Sequence, residues 1–198
     1  MTAHDTSRNV LRRQLVDRRL QLTPDEHAQF SARICALIDQ HFPQLAQQRV
    51  AFCWPFKNEP DLRPLIESWI ARGEPGFMAL LPVVRAPRTP LGFRAWTPAC
   101  VLARDSFGIP TPAEGEFVTP QALLIPANGF DSAGYRVGYG GGFFDRTLAA
   151  LGPTAFSIGV SFELARLDSI RQQAHDLPLN AIVTEAGVFR PETAPIRT

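Results

Sequence analysis

The 198-residue sequence predicts an α/β protein built on a largely parallel sheet. Short, wholly apolar runs such as ALLIPA (122–127), FSIGV (156–160) and AIVT (181–184) alternate with segments of helical periodicity. An apolar run without polar alternation marks a strand covered on both faces, as in parallel sheets with helices on either side. Most of the eighteen prolines fall in the connections, as in ordered loops over strand ends. A composition of 45% hydrophobic residues, with 14 Phe and 3 Trp, suffices to bury one core, so a single domain over 1–198 is expected.

Residues 7–22 read as a basic amphipathic helix: Leu11, Leu15 and Leu22 recur at helical spacing, while Arg8, Arg12 and Arg19 share one face. A second helix starts at a capping box, Thr23-Pro24-Asp25-Glu26, with proline at its first position. It continues through a stripe of Phe30, Ile34, Leu37, Ile38 and His41. The short connection predicts an antiparallel helix pair. Residues 50–56 (VAFCWPF) read as a strand, 61–73 as a helix stopped by Gly73, and 77–84 as a strand. The proline-rich stretch 85–120 holds one strand at 93–96, with turns at Pro98, Pro110 and Pro112. A strand at 122–127, a helix at 143–151 and strands at 156–160 and 181–184 complete the reading, with no internal repeat or low-complexity tract.

Lys+Arg 20 against Asp+Glu 19 leave a net charge of +1, which argues against a polyanion coat protein or an acidic tail. Lys57 is the sole lysine among these basic residues, so any lysine chemistry falls to it. No apolar run approaches the roughly 18 residues that a bilayer span needs, and none follows the first charges, so neither a spanning nor a secreted protein is expected. Cys35, Cys53 and Cys100 have neither CxxC nor Cys/His ligand spacing. Two of them, Cys35 and Cys53, lie in apolar surroundings (ICALI, AFCWPF), which favours small buried hydrophobes in a reducing compartment.

The stretch 124–148 joins an apolar strand to a helix through Gly134, Gly138, Gly140, Gly141 and Gly142. Such a loop exposes backbone N–H groups and permits the conformations needed to wrap phosphate oxygens, with the helix N-terminus aimed at the same place. Arg136 and Arg146 supply charge, and Asp145, in the first helical turn, can hold a metal that bridges phosphates. The same glycines also suit a plain flexible turn. No G-K-[ST] follows them, and Gly138, Gly140 and Gly142 do not fit G-x-G-x-x-G, so the two commonest nucleotide signatures are excluded.

The string GYRVGYGGGFFDR (134–146) closely resembles the G-x-R-L-G-x-G-x-G-Y-Y-D-R signature of the 5-formyltetrahydrofolate cyclo-ligase family, also called methenyltetrahydrofolate synthetases. Further landmarks of that family are met in order: Arg8 to Arg12 in a helix, WPFKNEPD (54–61), FGIPTP (107–112), GFD (129–131) and HDLPLNAIVTE (175–185). The resemblance covers about 7–187. It implies a three-layer, mostly parallel sheet of the sugar-phosphate isomerase and CoA-transferase type with N-terminal helices. It also implies an ATP- and Mg²⁺-dependent ligase that closes 5-formyltetrahydrofolate to 5,10-methenyltetrahydrofolate and releases ADP and phosphate. Its partners would be small molecules, with no nucleic acid or membrane, and it would be a cytoplasmic monomer.

Carried over by position, the resemblance assigns ATP to Arg8, Arg12, Arg136, Val137, Gly138, Tyr139, Gly140, Gly141, Gly142, Phe143 and Phe144. Glu59, Phe107, Tyr139 and Phe143 would meet the folate, Asp145 and Asp176 the metal, and Arg136, Asp145 and Glu59 would carry catalysis. By pattern alone the basic helix face also suits solvent, Asp176 a turn and Phe107 a core. Three departures stand out: Arg8 for a lysine, Phe143-Phe144 for Tyr-Tyr, and Leu62 for a threonine after Asp61. They motivate an alternative, a folate- or nucleotide-binding protein of the same fold without turnover. A third reading, an RNA-associated module using the basic helix, conflicts with the balanced remaining charge.

Overall fold

The apolar runs lie side by side in one sheet, with helices covering both of its faces. In the computed structural model, residues 3–191 are described, and the two ends of the domain expected over 1–198 lie outside the described residues. Along the chain come α1 (Ala3–Leu20), α2 (Pro24–His41), β1 (Arg49–Ala51), α3 (Arg63–Arg72), β2 (Met78–Val83), β3 (Gly92–Ala95), β4 (Leu102–Arg104) and β5 (Pro110–Pro112). They are followed by β6 (Ala122–Pro126), β7 (Gly129–Phe130), β8 (Arg136–Val137), α4 (Phe143–Leu151), β9 (Phe156–Val160), β10 (Ala181–Thr184) and β11 (Gly187–Phe189).

The main sheet has seven strands in the order β11, β10, β9, β6, β1, β2, β3. The pairings of β10 with β9, β9 with β6, β6 with β1 and β1 with β2 are parallel, while β3 and β11 form antiparallel edges. Successive strand residues feed opposite faces. Val50, Leu81, Leu124 and Val183 join a core cluster with Ile34, Leu37 and Ile38 of α2 and Trp69 of α3. Ala51, Leu80, Leu123, Ile125 and Ile182 join the other cluster, with Leu15 of α1 and Leu148 of α4.

The chain leaves β1 for β2 on one side, then returns to β6 on β1's other side and continues outward to β9 and β10. Strand order therefore reverses between β1 and β6, and loops leaving two such strands diverge to open a crevice at their carboxyl ends. Those loops carry Glu59 after β1 and the glycines after β6. The candidate residues meet there because of the winding.

Several expected elements are observed with little change. The capping box holds: Thr23 Oγ1 accepts from Glu26 N and Glu26 Oε2 accepts from Thr23 N. Helix α4 and strands β9 and β10 have the expected bounds, and Gly73 ends α3 at φ 65°. The two expected N-terminal helices bury their apolar residues in different clusters, Leu15 of α1 in one and Ile34, Leu37 and Ile38 of α2 in the other. Others are corrected. His41 is exposed, and the buried neighbour Phe42 takes its place against the core. The strand expected over 50–56 stops at Ala51, and residues 52–62 form a loop containing Pro55 and two left-handed residues, Lys57 (φ 50°) and Asn58 (φ 57°).

Pro110 and Pro112 do not mark turns but lie in β5, paired with β4. Asp105 N donates to Ile109 O and Ala113 N to Val101 O, so the two prolines fall at positions that owe the ladder no N–H. The tip of this hairpin is fixed by Asp105 Oδ1, which accepts from Phe107 N at 2.8 Å and Ile109 N at 2.9 Å. Strands β7, β8 and β11, two or three residues each, are too short for periodicity to register. No helix among the described residues is long and apolar enough to cross a membrane.

Trp69 anchors α3: it is fully buried, and its Nε1 donates to Asp39 Oδ1 at 2.7 Å. Trp69→Ala should lower unfolding stability by about 3–5 kcal/mol, whereas Thr23→Ala, removing the α2 cap, should cost about 1 kcal/mol. Denaturant titration of both variants measures the contrast.

Candidate active site

The site is assembled from segments that sequence keeps far apart: α1, the loop after β1, the tip of the β4–β5 hairpin, the glycine loop with the first turn of α4, and the turn before β10. On one side lie two arginine–aspartate pairs. Arg8 Nη2 meets Asp176 Oδ2 at 2.7 Å, with both side chains under a tenth exposed. Arg136 Nη2 meets Asp145 Oδ1 at 2.8 Å, and its Nη1 donates to Leu177 O at 3.2 Å. Burial pushes the Arg136 pKa down, opposed by the charges of Asp145 and Asp176. Asp145 from α4 pairs with Arg136, while Asp176 from the turn before β10 pairs with Arg8 and acts on Arg136 only through its charge.

The glycine loop runs past these pairs. Arg12 Nε donates to Gly138 O at 3.0 Å, and Arg146 caps Gly141 O. Gly140 at φ +92° and Gly142 at φ +62° adopt conformations that favour glycine, and Gly142 leaves the start of α4 without a side-chain cap. Gly138 differs. Its φ is ordinary, and an added Cβ would meet nothing within 4 Å. Nothing in the folded chain requires glycine there, which fits a close approach by a ligand. Uncapped helix N–H groups, an open glycine and arginines on either side are the elements from which an anion cradle can be built.

On the other side stands Glu59, only 3% exposed. Its Oε1 accepts from the Tyr139 hydroxyl at 3.0 Å and its Oε2 from Phe56 N at 3.0 Å. Burial raises its pKa to about 7, with the charge of Arg19 and the hydrogen bonds from Phe56 and Tyr139 opposing the rise. A carboxyl group near neutrality is suited to accepting or returning a proton. Phe107, at the hairpin tip, is 57% exposed and meets Phe143 edge-on at 6.2 Å between ring centroids.

The structure thus brings together Arg8, Arg12, Arg136, Asp145, Asp176, the glycines, Tyr139, Glu59, Phe107 and Phe143. Val137 and Phe144 differ, because their side chains pack in or against the core and leave only backbone for a ligand. Asp176 is also a turn residue, accepting from Gln173 N at 2.7 Å. Lys57 is exposed, its carbonyl accepts from Arg19 and its ammonium lies 5.2 Å from the centroid of the Phe56 ring. Residues not assigned from sequence also contribute. Asp131 accepts from Ala133 N, Tyr135 N and Ile170 N, shaping the turn before Arg136, and Arg19 with Asn128 supports the Glu59 side. The signal for Arg19 was its place on the face shared with Arg8 and Arg12; Asn128 gave none.

A divalent ion of the magnesium type prefers a few carboxylate oxygens together with phosphate and water. Asp145 and Asp176, both oxygen donors flanking the arginine cradle, suit that chemistry; among the described residues no cluster of three or more His, Cys, Asp or Glu side chains forms a fuller cage.

Residues 4–185 match the family model described as the 5-formyltetrahydrofolate cyclo-ligase family. The 5-formyltetrahydrofolate cyclo-ligase of Escherichia coli (strain K12) is 28% identical over 178 residues, covering 87% of this chain and 97% of that protein. The enzyme of the same name from Mycolicibacterium smegmatis is 31% identical over 142 residues, covering 66% of this chain and 70% of that protein. The NMR structure of Aquifex aeolicus 5,10-methenyltetrahydrofolate synthetase superposes with a TM-score of 0.80 at 27% identity, covering 94% of each chain. A 5,10-methenyltetrahydrofolate synthetase from Mycoplasma pneumoniae shares the fold, with a TM-score of 0.73 at 21% identity over 90% of this chain and 98% of that one.

The raised pKa of Glu59 has a consequence for stability. Between its ordinary value of 4.5 and about 7, the folded protein holds a proton that the unfolded chain has released. Stability therefore falls as pH rises through that window and levels off above it. Glu59→Gln cannot ionise, so between pH 4.5 and pH 8 the wild type should lose roughly 1–3 kcal/mol more than the variant in denaturant unfolding.

Proposed function

Since the chain belongs to the 5-formyltetrahydrofolate cyclo-ligase family, we propose that its site closes 5-formyltetrahydrofolate to 5,10-methenyltetrahydrofolate at the expense of ATP, releasing ADP and phosphate. The observation that carries this reading is the pairing of two cradle arginines with two aspartates at one glycine loop. Arg8 and Arg136 offer positive charge to phosphate oxygens, while Asp176 and Asp145 offer oxygens to a cation. A nucleotide accompanied by a divalent ion satisfies both halves of each pair at once. Arg12 and the N–H groups of Gly138 to Gly142 complete the cradle, and Arg8 in place of a lysine keeps the charge with a planar fork.

The chemistry explains why such a cradle is needed. A formyl amide is a poor electrophile; its oxygen attacks the γ-phosphorus, ADP departs, and the carbon becomes open to attack by N10. The C–N10 bond forms, the C–O bond breaks with loss of phosphate, and N10 gives up its proton. Magnesium, when bound, neutralises charge developing on the transferred phosphoryl group. The chain's own residues orient the nucleotide, supply arginine charge and exclude water, so catalysis is mainly positioning and electrostatics. Glu59 supplies a buried acceptor for pterin N–H donors or for the N10 proton, and Phe107 with Phe143 supplies aromatic surface for the pterin.

The missing hydroxyls at Phe143 and Phe144 do not favour a protein without turnover. Phe144 packs against the core, Phe143 meets Phe107, and a phenol at Tyr139 already reaches Glu59. The fold would be of the sugar-phosphate isomerase and CoA-transferase type, and the enzyme a cytoplasmic monomer whose partners are reduced folate, ATP and Mg²⁺.

Purified protein with 5-formyltetrahydrofolate, ATP and Mg²⁺ should develop methenyl absorbance with matching ADP release; tight folate binding without absorbance change overturns the proposal. Asp145→Ala should abolish most turnover. Arg136→Ala should cost about 1.5–3 kcal/mol, or roughly tenfold to a hundredfold in kcat/KM for ATP. Gly138→Ala should leave the melting temperature unchanged or slightly raised while the KM for ATP rises; normal ATP kinetics in that variant would remove Gly138 from the cradle.

A further inference from the structure

Arg19 lies two turns beyond Arg12 on α1 and is only 3% exposed, yet it takes no part in the phosphate cradle. Its guanidinium instead joins three segments. Nε donates to Lys57 O at 2.8 Å and Nη2 reaches Phe56 O at 3.5 Å, both in the loop after β1. Nη1 donates to Asn128 Oδ1 at 3.0 Å, two residues past the end of β6. Nη2 also donates to the Tyr139 hydroxyl at 2.8 Å, in the glycine loop. The turn it grips contains Lys57 and Asn58, both at positive φ, a conformation that non-glycine residues hold only where surrounding contacts enforce it.

The direction of each proton follows from the donors. A guanidinium cannot accept a hydrogen bond, so the Tyr139 oxygen accepts from Arg19, and the Tyr139 proton is directed to Glu59 Oε1. Phe56 N, in the turn that Arg19 holds, donates to Glu59 Oε2. Both carboxyl oxygens are therefore kept as acceptors by groups that Arg19 positions. The same rule turns the Asn128 carboxamide so that Oδ1 faces the arginine and the NH₂ faces away.

We infer that Arg19 is a positioning residue for the cyclisation, fixing the aim of the Glu59 carboxyl oxygens through Tyr139 and the 56–58 turn. This rests on the reading of Glu59 as the folate-side carboxylate. The groups that face Glu59 support it. Arg19 comes from α1, the Tyr139 hydroxyl from the glycine loop, and the Cys53 thiol, itself pushed up in pKa by burial and by the Glu59 charge, from the segment after β1. His27 of α2 bonds the Glu59 carbonyl through Nε2 at 2.8 Å, and Lys57 and Asp61 flank it in its own loop. Arg19 is the buried cation of this set and opposes the desolvation of the carboxylate.

The test compares Arg19→Met, Arg19→Lys and Tyr139→Phe with the wild type, using Glu59→Gln to assign the signal. In ligand-free protein, carboxyl ¹³C NMR follows the titration of Glu59. Arg19→Met should move its midpoint to higher pH by about one unit or more, Arg19→Lys by less, and Tyr139→Phe in the same direction. In turnover, the acidic limb of the pH profile should move by the same amount. Maximal kcat should fall at least about tenfold in Arg19→Met, with KM for ATP within about threefold of wild type.

A folded Arg19→Met protein with an unmoved midpoint and pH profile overturns the inference. Should that variant not fold, Arg19→Lys and Tyr139→Phe decide, and wild-type midpoints in both overturn it. A midpoint that moves as expected in a protein that never turns over 5-formyltetrahydrofolate would keep Arg19's hold on Glu59 but overturn the cyclisation role, and the fault would lie with the folate reading.

Discussion

Guanidinium groups bonded to loop carbonyls hold this site together. Loops that diverge from adjacent parallel strands have no ladder partner for their backbone, so their carbonyls are open to side-chain donors that fix the loop in place. Arg12 satisfies Gly138 O, Arg19 satisfies Lys57 O, Arg136 satisfies Leu177 O and Arg146 satisfies Gly141 O. A planar fork with five donors can bind a carbonyl and still face a carboxylate, as Arg136 does; an ammonium on a flexible stem offers no such fixed geometry. The arginine bias of the sequence thus has a structural use around the crevice, while nothing in the structure explains arginine over lysine at exposed positions such as Arg13 and Arg33.

Electrostatics divides the crevice into two halves with different logic. The cradle is self-neutralised by Arg8 with Asp176 and Arg136 with Asp145, pairs whose loss of one partner would strand a buried charge at a cost of about 3–5 kcal/mol. The other half sets one carboxyl group against one buried arginine and a phenol, with burial raising the Glu59 pKa to about 7. The halves share the glycine loop. Gly138 is bonded to Arg12 and its neighbour Tyr139 to Arg19, so one face of α1 grips both through consecutive residues.

Much of the fold was legible because its signals are local. The capping box at Thr23, the glycine stop after Arg72 and the bounds of α4, β9 and β10 depend on propensities within a few residues. The departures occur where tertiary contacts outweigh them. An apolar, aromatic run over 52–56 leaves the sheet because Pro55 and the left-handed pair at 57–58 turn the chain toward Arg19. Pro110 and Pro112 look like turn residues until pairing with β4 supplies positions that need no N–H.

The sequence by itself determined the class of sheet, the start of α2, the glycine stop of α3, the bounds of α4 and the glycine loop with its arginines, because each is set by spacing along the chain. Only the tertiary structure decided which of those residues meet. Arg8 and Asp176 are 168 positions apart and form a pair at 2.7 Å, and Tyr139 reaches Glu59 across 80 positions. The reversal of strand order between β1 and β6 brings those segments to one crevice, and no local pattern encodes which side of a sheet the next strand joins. Burial then settled what spacing could not, separating Arg19, enclosed and bonded through all three guanidinium nitrogens, from an ordinary basic residue on a solvated helix face.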